Sequence, residues 1–193
     1  MVLPILTFDE HALSPRFGYV FEPAWLEPHE SILGMLWKFM RANRPAAAAV
    51  VSQIGARPTD GYAGLKPSPP HVDALAVATL LGARPAVIRS AMSGQQQDAD
   101  LVWCPSCLGV GYHSIVHQRC GQQRCPIHGG LLRRHCPNCG HTSAYWLDAQ
   151  LLDAAFRCRH CRALLCAGAC VRWPGKWRLR SKQRTAITRA RWG

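Results

Sequence analysis

Four pairs of metal-ligand residues, each pair separated by two residues, lie in one short stretch and constrain the fold more than any other feature. They are Cys104-Pro-Ser-Cys107, Cys125-Pro-Ile-His128, Cys136-Pro-Asn-Cys139 and Cys158-Arg-His-Cys161. A Cys-x-x-Cys turn places both sulfurs on the same side of a tight knuckle, so one pair can fill two corners of a tetrahedral zinc site. Two pairs therefore complete one site.

The spacing of the pairs predicts which of them combine. The first and second pairs are separated by residues 108–124 and the third and fourth by residues 140–157, which fits the spacing of zinc ribbons. Crossed or nested pairing stays open, because spacing identifies ligand pairs better than it identifies which pairs meet. A four-ligand shell has no open position, so we expect two structural Zn2+ ions. Sequential pairing gives the ligand sets Cys104, Cys107, Cys125, His128 and Cys136, Cys139, Cys158, Cys161.

Disulfide bonds are the alternative use of these cysteines. Residues 1–6 are apolar, but they lack the basic segment that begins a secretory signal, and Asp9, Glu10 and Pro15 interrupt the apolar run. Without export the compartment is reducing, and paired cysteines there are more often metal sites. We therefore expect a cytoplasmic, metal-binding protein.

The charge of the chain is concentrated in its second half. The formal net charge is +12, and 15 of the 23 Lys and Arg residues, but only two of the 11 acidic residues, follow Trp103. Such a basic half favours a polyanionic partner such as nucleic acid. No run approaches the roughly 20 apolar residues of a membrane span, so no membrane partner is expected.

The sequence predicts four regions. An extended, proline-rich arm covers residues 1–28, a helical module 29–100, a tandem zinc-binding region 101–170, and a basic tail 171–193. In the helical module, apolar residues between Ile32 and Met40 recur at helical spacing and predict one buried face, with Trp37 and Lys38 at the surface. A second helix is predicted from Pro45 to Ile54, and a Pro- and Gly-rich linker or long loop at residues 56–70.

Residues 72–92 predict a helical hairpin. A helix over 72–81, the turn Gly82-Ala83-Arg84 and a helix from Pro85 to Met92 are compatible with a helix-turn-helix, although many small helical domains contain the same hairpin. In a DNA-reading hairpin, Arg84 and Arg89 would make the contacts. The fold class predicted is thus small, metal-stabilised α+β, in which this module precedes two zinc-ribbon or zinc-finger motifs.

The tail interleaves cations with tryptophans. This pattern suits phosphate contact combined with base stacking, and a solvated tail is the alternative. The candidate nucleic-acid-binding residues are Arg172, Lys176, Trp177, Arg178, Arg180, Lys182 and Arg184.

Several cysteines and histidines fall outside the predicted ligand sets. Cys120, Cys166 and Cys170 remain unassigned. Cys166 and Cys170 could form a third half-site, but no partner pair is left in the sequence, so buried or free thiols are expected there. Most of the remaining histidines are expected at the surface, namely His113, His117, His135, His141 and His160.

The motifs of several enzyme classes are missing from the sequence. It has no His-x-Glu of a zinc deaminase, no His-Glu-x-x-His, and no Gly-x-x-x-x-Gly-Lys-Ser/Thr phosphate loop. Only Asp148 and Asp153 supply carboxylates after residue 103, which is too few for a two-metal nuclease in the basic half. We therefore expect no catalysis.

The order of motifs resembles the TniQ family of transposon proteins. The resemblance covers roughly residues 28–165 and includes Pro-x-Glu-Ser-Ile at Pro28–Ile32 and Trp-Cys-Pro-x-Cys-Leu at Trp103–Leu108. Its most specific part is Cys-Pro-Ile-His-Gly-Gly-Leu-Leu from Cys125, followed by Cys-Pro-Asn-Cys-Gly from Cys136.

The resemblance implies a non-enzymatic adaptor that selects target sites in bacterial DNA transposition. Members of the family recruit an AAA+ ATPase to chosen DNA, and some of them connect it to an RNA-guided CRISPR complex. The eight ligands named above match the family's zinc positions. Long members carry a further C-terminal DNA-recognition region, so direct DNA contact by this chain is expected to be weak or indirect. A stand-alone sequence-specific DNA-binding regulator and an RNA-binding zinc protein are the alternatives.

Overall fold

The computed structural model describes residues 18–92, 96–166, 168, 171, 173 and 178–192. Over these residues the fold is helix-rich with few strands, and extended segments pair through isolated antiparallel bridges such as Leu65 with Leu147. Short 3-10 helices cover Pro23–Trp25 and Ile115–Gln118. The α-helices are α1 (Ile32–Asn43), α2 (Ala47–Ile54), α3 (Ala74–Leu81), α4 (Pro85–Met92), α5 (Pro105–Gly109), α6 (Ala149–Asp153) and α7 (Ser181–Trp192).

Helix α1 lies at the centre of the molecule. It begins where the Ser31 hydroxyl accepts a hydrogen bond from the backbone N–H of Gly34 at 3.0 Å, and it ends at Arg44 in the left-handed conformation. Every residue from Ile32 to Met40 is buried, because α4 and α6 pack against α1 and the metal-binding half covers the rest. One core therefore joins the helical half to the metal-binding half.

The prediction that Trp37 and Lys38 lie at the surface is wrong. The Trp37 indole is fully buried, donates to the carbonyl of Leu151 at 2.8 Å and packs on Phe156. The Lys38 ammonium is buried against the Glu30 carboxylate at 2.8 Å, and this pairing opposes the rise in the pKa of Glu30 that burial causes. The hydrophobic periodicity predicts one buried face of α1, but neighbouring segments pack around the whole helix and bury its other face as well.

The start of α1 packs closely on the segment that follows the first knuckle. The backbone N–H of Ser31 donates to the carbonyl of His113 at 2.8 Å, and Glu30 pairs with Ser114 in an antiparallel bridge. A Cβ atom at Gly34 would lie 3.1 Å from that same His113 oxygen. Glycine at this position therefore permits the close approach of the two segments.

The predicted helical hairpin is present as α3 and α4. The Asp73 carboxylate caps α3 by accepting from the N–H groups of Leu75 and Ala76, and Gly82 ends the helix with φ of 58°. The observed α3 begins at Ala74 rather than residue 72, because Val72 pairs with Gly55 in a bridge. Arg84 and Arg89 are exposed.

The proline-rich loop at residues 56–70 packs onto the metal-binding half. Leu65 is buried and exchanges two backbone hydrogen bonds with Leu147, at 3.0 and 2.9 Å. Upstream of α1, Tyr19 places its ring 4.9 Å from that of Phe39, so the described end of the predicted arm packs onto the core. The rest of that arm, residues 1–17, lies outside the described residues.

Part of the basic tail forms α7, which the sequence analysis did not predict. Leu179 and Ile187 are buried in a second apolar cluster, together with Tyr112, Ile115 and three ligand cysteines. The Arg191 guanidinium donates to the carbonyl of Ser90 at 3.2 Å and joins α7 to α4. None of the helices in the described part of the chain is both long enough and apolar enough to cross a membrane.

Candidate metal centres

The structure brings the eight predicted ligands together as two clusters, in the combination that sequential pairing predicts. Within each cluster the ligand atoms all lie within 4.8 Å of one another. We call them the mixed cluster, which has three cysteines and one histidine, and the all-cysteine cluster. Their members are Cys104, Cys107, Cys125, His128 for the mixed cluster and Cys136, Cys139, Cys158, Cys161 for the all-cysteine cluster.

The spacing of the ligand atoms fits a tetrahedral metal ion. In the mixed cluster, Nδ1 of His128 lies 3.5, 3.3 and 3.7 Å from the sulfurs of Cys104, Cys107 and Cys125. The Cys107 and Cys125 sulfurs are 3.7 Å apart. Bonds of about 2.3 Å to sulfur and about 2.0 Å to nitrogen give tetrahedral edges of about 3.5 to 3.8 Å. These four distances lie within about 0.2 Å of that range.

Two sulfur–sulfur distances in the all-cysteine cluster fall in the same tetrahedral range. The sulfur of Cys136 lies 3.6 Å from that of Cys161, and the sulfur of Cys139 lies 3.7 Å from that of Cys158. No disulfide is present among the cysteines of residues 18–92 and 96–166. The side chain of Asn138 reaches the Cys161 sulfur at 3.5 Å as a hydrogen-bond donor.

Three of the knuckles share one backbone form. In each, the first cysteine carbonyl accepts a hydrogen bond from the N–H of the residue four positions later, at 2.8 to 2.9 Å. That residue has a positive φ, and it is Gly129, Gly140 or Arg162. Glycine adopts this conformation without strain, whereas Arg162 does so with its guanidinium paired to Asp153 at 3.0 Å. The first knuckle differs because α5 begins directly after Cys104.

Before metal binds, hydrogen bonds among the thiols set their acidity. The pKa of Cys104 is lowered because Cys107 and Cys125 donate S–H to its sulfur. The same bonds raise the pKa of Cys107 and bring that of Cys125 to about 11. In the all-cysteine cluster, a backbone N–H at Ala163, together with Asn138, lowers the pKa of Cys161 to about 6. A metal ion must displace the remaining protons, so its binding depends on pH.

His117 is a buried neighbour of the mixed cluster, although most of the histidines outside the ligand sets are expected at the surface. Its Nε2 is 3.5 Å from the Cys125 sulfur and 3.9 Å from the Cys107 sulfur. The backbone N–H of Ser114 donates to its Nδ1 at 3.4 Å, so Nε2 carries the proton and points it at the sulfurs. Such outer contacts orient metal ligands and adjust their basicity. The one local signal at His117 is its spacing from Ser114, with which it forms a capping box at the start of the 3-10 helix. This signal indicates a helix start and does not indicate the contact with the cysteines.

The other residues outside the ligand sets divide between core and surface. Most of the five histidines outside the ligand sets are at the surface, as predicted, because His135, His141 and His160 are exposed, whereas His113 and His117 are fully buried. Cys120 is exposed and Cys166 is half-buried, and neither belongs to a cluster. Cys170 lies outside the described residues.

The candidate nucleic-acid-binding residues are only partly described. Arg172, Lys176 and Trp177 lie outside the described residues, and Arg180 and Lys182 are exposed on or beside α7. Two other candidate residues, Arg178 and Arg184, lie against a carboxylate of the protein. Arg184 lies 3.1 Å and Arg178 3.9 Å from the carboxylate of Glu27, which is almost completely buried. Sequence reasoning missed Glu27, because these arginines are remote from it along the chain.

Comparisons with known proteins identify no family for this chain. The chain matches no known protein-family profile, and no curated protein sequence matches it.

Proposed function

We propose that this chain is a zinc-stabilised, non-enzymatic adaptor of bacterial DNA transposition. In this role it links an AAA+ ATPase to target DNA, or to a targeting complex such as an RNA-guided CRISPR complex. One observation supports the proposal most strongly. The two clusters occupy the motif positions on which the resemblance to the TniQ family rests, and each cluster has four protein ligands.

The chemistry of the clusters supports zinc and a structural role. Sulfur and imidazole donors at tetrahedral spacing favour Zn2+ over oxygen-preferring cations such as Mg2+ or Ca2+. Four protein ligands leave no position for a substrate, and both clusters are continuous with apolar cores. The metal ions would therefore stabilise the fold, and partner surfaces would perform the function.

The charge distribution supports nucleic acid as one of the partners. The second half of the chain remains strongly basic even after the negative charge of zinc-bound thiolates is included. Phosphate contacts carry no sequence information, so this field supplies affinity rather than target choice. This charge distribution is consistent with an adaptor that contributes affinity for DNA while another component selects the target sequence.

The test is retention of the zinc-loaded protein on duplex DNA, with and without the AAA+ ATPase encoded nearby and ATP. At about 150 mM salt, weak phosphate contacts are largely competed away. We expect retention that requires both the ATPase and ATP. Strong, sequence-dependent retention that ignores the ATPase would contradict the adaptor role.

A stand-alone DNA-binding regulator is the second candidate, and the α3–α4 hairpin favours it. Arg84 and Arg89 are both exposed on this hairpin, where they could meet DNA. If retention proves independent of the ATPase, alanine substitution of these two residues should abolish it. Preference for single-stranded RNA over duplex DNA would instead identify an RNA-binding zinc protein.

A further inference from the structure

A cleft of about 390 Å³ lies between the C-terminal end of α1 and the segment that follows α6. We call it the arginine cleft. Its polar lining comes from Arg41, Arg44, Arg157 and Asp153, and its apolar lining includes Met40 and Trp173. The volume falls within the range of roughly 300 to 1,000 Å³ that small-molecule sites occupy. None of these residues belongs to the metal clusters or to the candidate nucleic-acid-binding residues.

In the described part of the chain, no carboxylate forms an ion pair with an arginine of this cleft. Within the described residues, Arg44 is exposed and has no acidic partner, and Arg157 donates to the carbonyl of Arg162 rather than to a carboxylate. Arg41 donates to the carbonyl of Val171 at 2.6 Å. The one carboxylate of the lining, Asp153, pairs with Arg162 at 3.0 Å.

Arg41 also carries an unsatisfied donor. Among the described residues its Nε is buried and has no hydrogen-bond partner. A buried donor without a partner is unfavourable, and a guanidinium carries donors in a planar fork that matches the oxygens of a phosphate. The cleft lies at the negative end of the α1 dipole, so the charges of Arg41, Arg44 and Arg157 must outweigh that dipole for an anion to bind.

The apolar side of the cleft suits an aromatic ring. The indole of Trp173 is 45% exposed, and its ring forms an edge-to-face pair with Trp25 at 6.4 Å. This contact holds the ring in position while leaving area for stacking. Stacking on an exposed indole accepts any nucleobase, because every base has a π-face.

We propose that the arginine cleft binds a nucleotide unit, with its phosphate on Arg44 and Arg157 and its base against Trp173. The unit could come from a free nucleotide or from single-stranded nucleic acid, since both present the same phosphate and base. This site is independent of the adaptor role, because it involves neither the ATPase nor duplex DNA.

Binding can be measured with full-length, zinc-loaded protein and a short fluorescein-labelled oligothymidylate, followed by fluorescence anisotropy at about 50 mM salt. We expect Arg44→Gln and Arg157→Gln each to weaken binding by about 10-fold, as loss of a charge-assisted phosphate contact would. Arg57→Gln is the matched control, because Arg57 is exposed and lies outside the cleft. Asp153→Asn should tighten binding, since it removes the carboxylate from the lining.

Competition identifies the ligand. Adenosine monophosphate should displace the oligonucleotide at a lower concentration than inorganic phosphate does, because its base stacks on Trp173. This difference in concentration should persist in Trp173→Phe and disappear in Trp173→Ala. If adenosine monophosphate binds as tightly as the oligonucleotide, the ligand is a free nucleotide. If the oligonucleotide binds more tightly and with a steeper salt dependence, the ligand is a strand.

Two results would overturn the proposal. One is equal binding by Arg44→Gln, Arg157→Gln and the Arg57→Gln control, with zinc content and circular dichroism unchanged in all three. The other is displacement by a polyglutamate peptide as effective as displacement by adenosine monophosphate, which would indicate a site for acidic peptides. A failed ATPase-dependent retention assay would leave these results unaffected, so the two proposals fail separately.

Discussion

His113 lies between two hydrogen bonds that fix which of its ring nitrogens carries the proton. Its Nε2 is 2.8 Å from the carbonyl of Val102, which can only accept, so Nε2 is the protonated nitrogen. Nδ1 then accepts from the Ser31 hydroxyl at 2.6 Å, and that hydroxyl accepts from Gly34 N. This network joins the start of α1 to the metal-binding half, and it requires a neutral imidazole.

The burial of His113 predicts a pH dependence of stability. Desolvation lowers the pKa of His113 to about 4 in the folded protein, from an ordinary value of 6.5. Between these values the unfolded chain binds the extra proton, so the free energy of unfolding should fall as the pH drops from about 6.5 to about 4. The slope contributed approaches about 1.4 kcal/mol per pH unit inside this window. Above pH 6.5 the contribution is complete.

Urea unfolding of zinc-loaded protein at pH 7, 6 and 5 would measure this dependence. His113→Leu should be less stable at pH 7 but should lose less with falling pH than the unsubstituted protein. Protonation of the metal ligands affects both proteins and cancels in the comparison. His135→Leu, at an exposed position, should retain the full dependence. Parallel pH profiles for the His113 variant and the unsubstituted protein would be incompatible with a neutral, buried His113.

At the scale of elements, α7 packs beside the mixed cluster without supplying a ligand. Leu179 and Ile187 lie against the apolar cluster that contains its three cysteines, and Arg119 donates to the carbonyl of Ala190 near the end of the helix. His29 meets α7 as well, since its Nε2 is 3.0 Å from the Thr188 hydroxyl. The helix therefore covers one side of a metal centre rather than extending into solvent.

Substitution of Ile187 tests this covering. Ile187→Ala should reduce the free energy of unfolding by roughly 2 to 5 kcal/mol, because it empties a fully buried position. It should also speed loss of metal from the mixed cluster to a chelator and leave the all-cysteine cluster unchanged. Thr185→Ala, on the exposed side of α7, should change stability by less than about 0.5 kcal/mol. Equal stability of the two variants would show that α7 is not docked in solution.

The elements differ in how well the sequence predicts them. Helix α4 begins at Pro85 and ends at Met92 as predicted, because proline and the apolar spacing are local signals. The ligand pairs are equally local, since each knuckle needs only a few adjacent residues. Helix α7 escaped prediction because its composition is polar and basic, and its main buried apolar residue is Ile187. Its position depends on contacts with remote segments, which local patterns do not encode.

The same distinction holds for single residues of the metal centres. The eight ligands follow from spacing, but the roles of His113 and His117 depend on partners brought together by the fold. Lys38 is a further case, because a lone lysine in an apolar helix gives no sign that Glu30 lies 2.8 Å away in the core. Buried polar residues are predictable only once their partners are known.

At the scale of the whole molecule, metal should be required for folding. Each cluster would contribute on the order of 10 kcal/mol, judging by zinc-finger peptides, which is comparable to the typical stability of a whole domain. Because the main core includes Cys136 and Cys158 beside residues of α1 to α4, loss of metal from the all-cysteine cluster should unfold the helical half as well.

Chelation followed by circular dichroism and by near-ultraviolet tryptophan signals would test this requirement. The expected result is loss of helical signal in one cooperative step, restored when zinc is added under reducing conditions. Cys136→Ser should have the same effect without chelator, whereas Cys120→Ser, which alters an exposed thiol outside both clusters, should behave like the unsubstituted protein. Retention of α1 to α4 after metal removal would show that the helical half folds independently.

The buried indole of Trp37 has a practical consequence for mapping partners on this chain. Its N–H bonds to Leu151 and its ring lies on Phe156, so a cut anywhere between residues 43 and 149 would separate surfaces that stabilise each other. Fragments made to locate a binding site would expose core surface and adhere to many proteins. Partner surfaces on this molecule are therefore better located with single exposed-residue variants of the intact chain than with truncations.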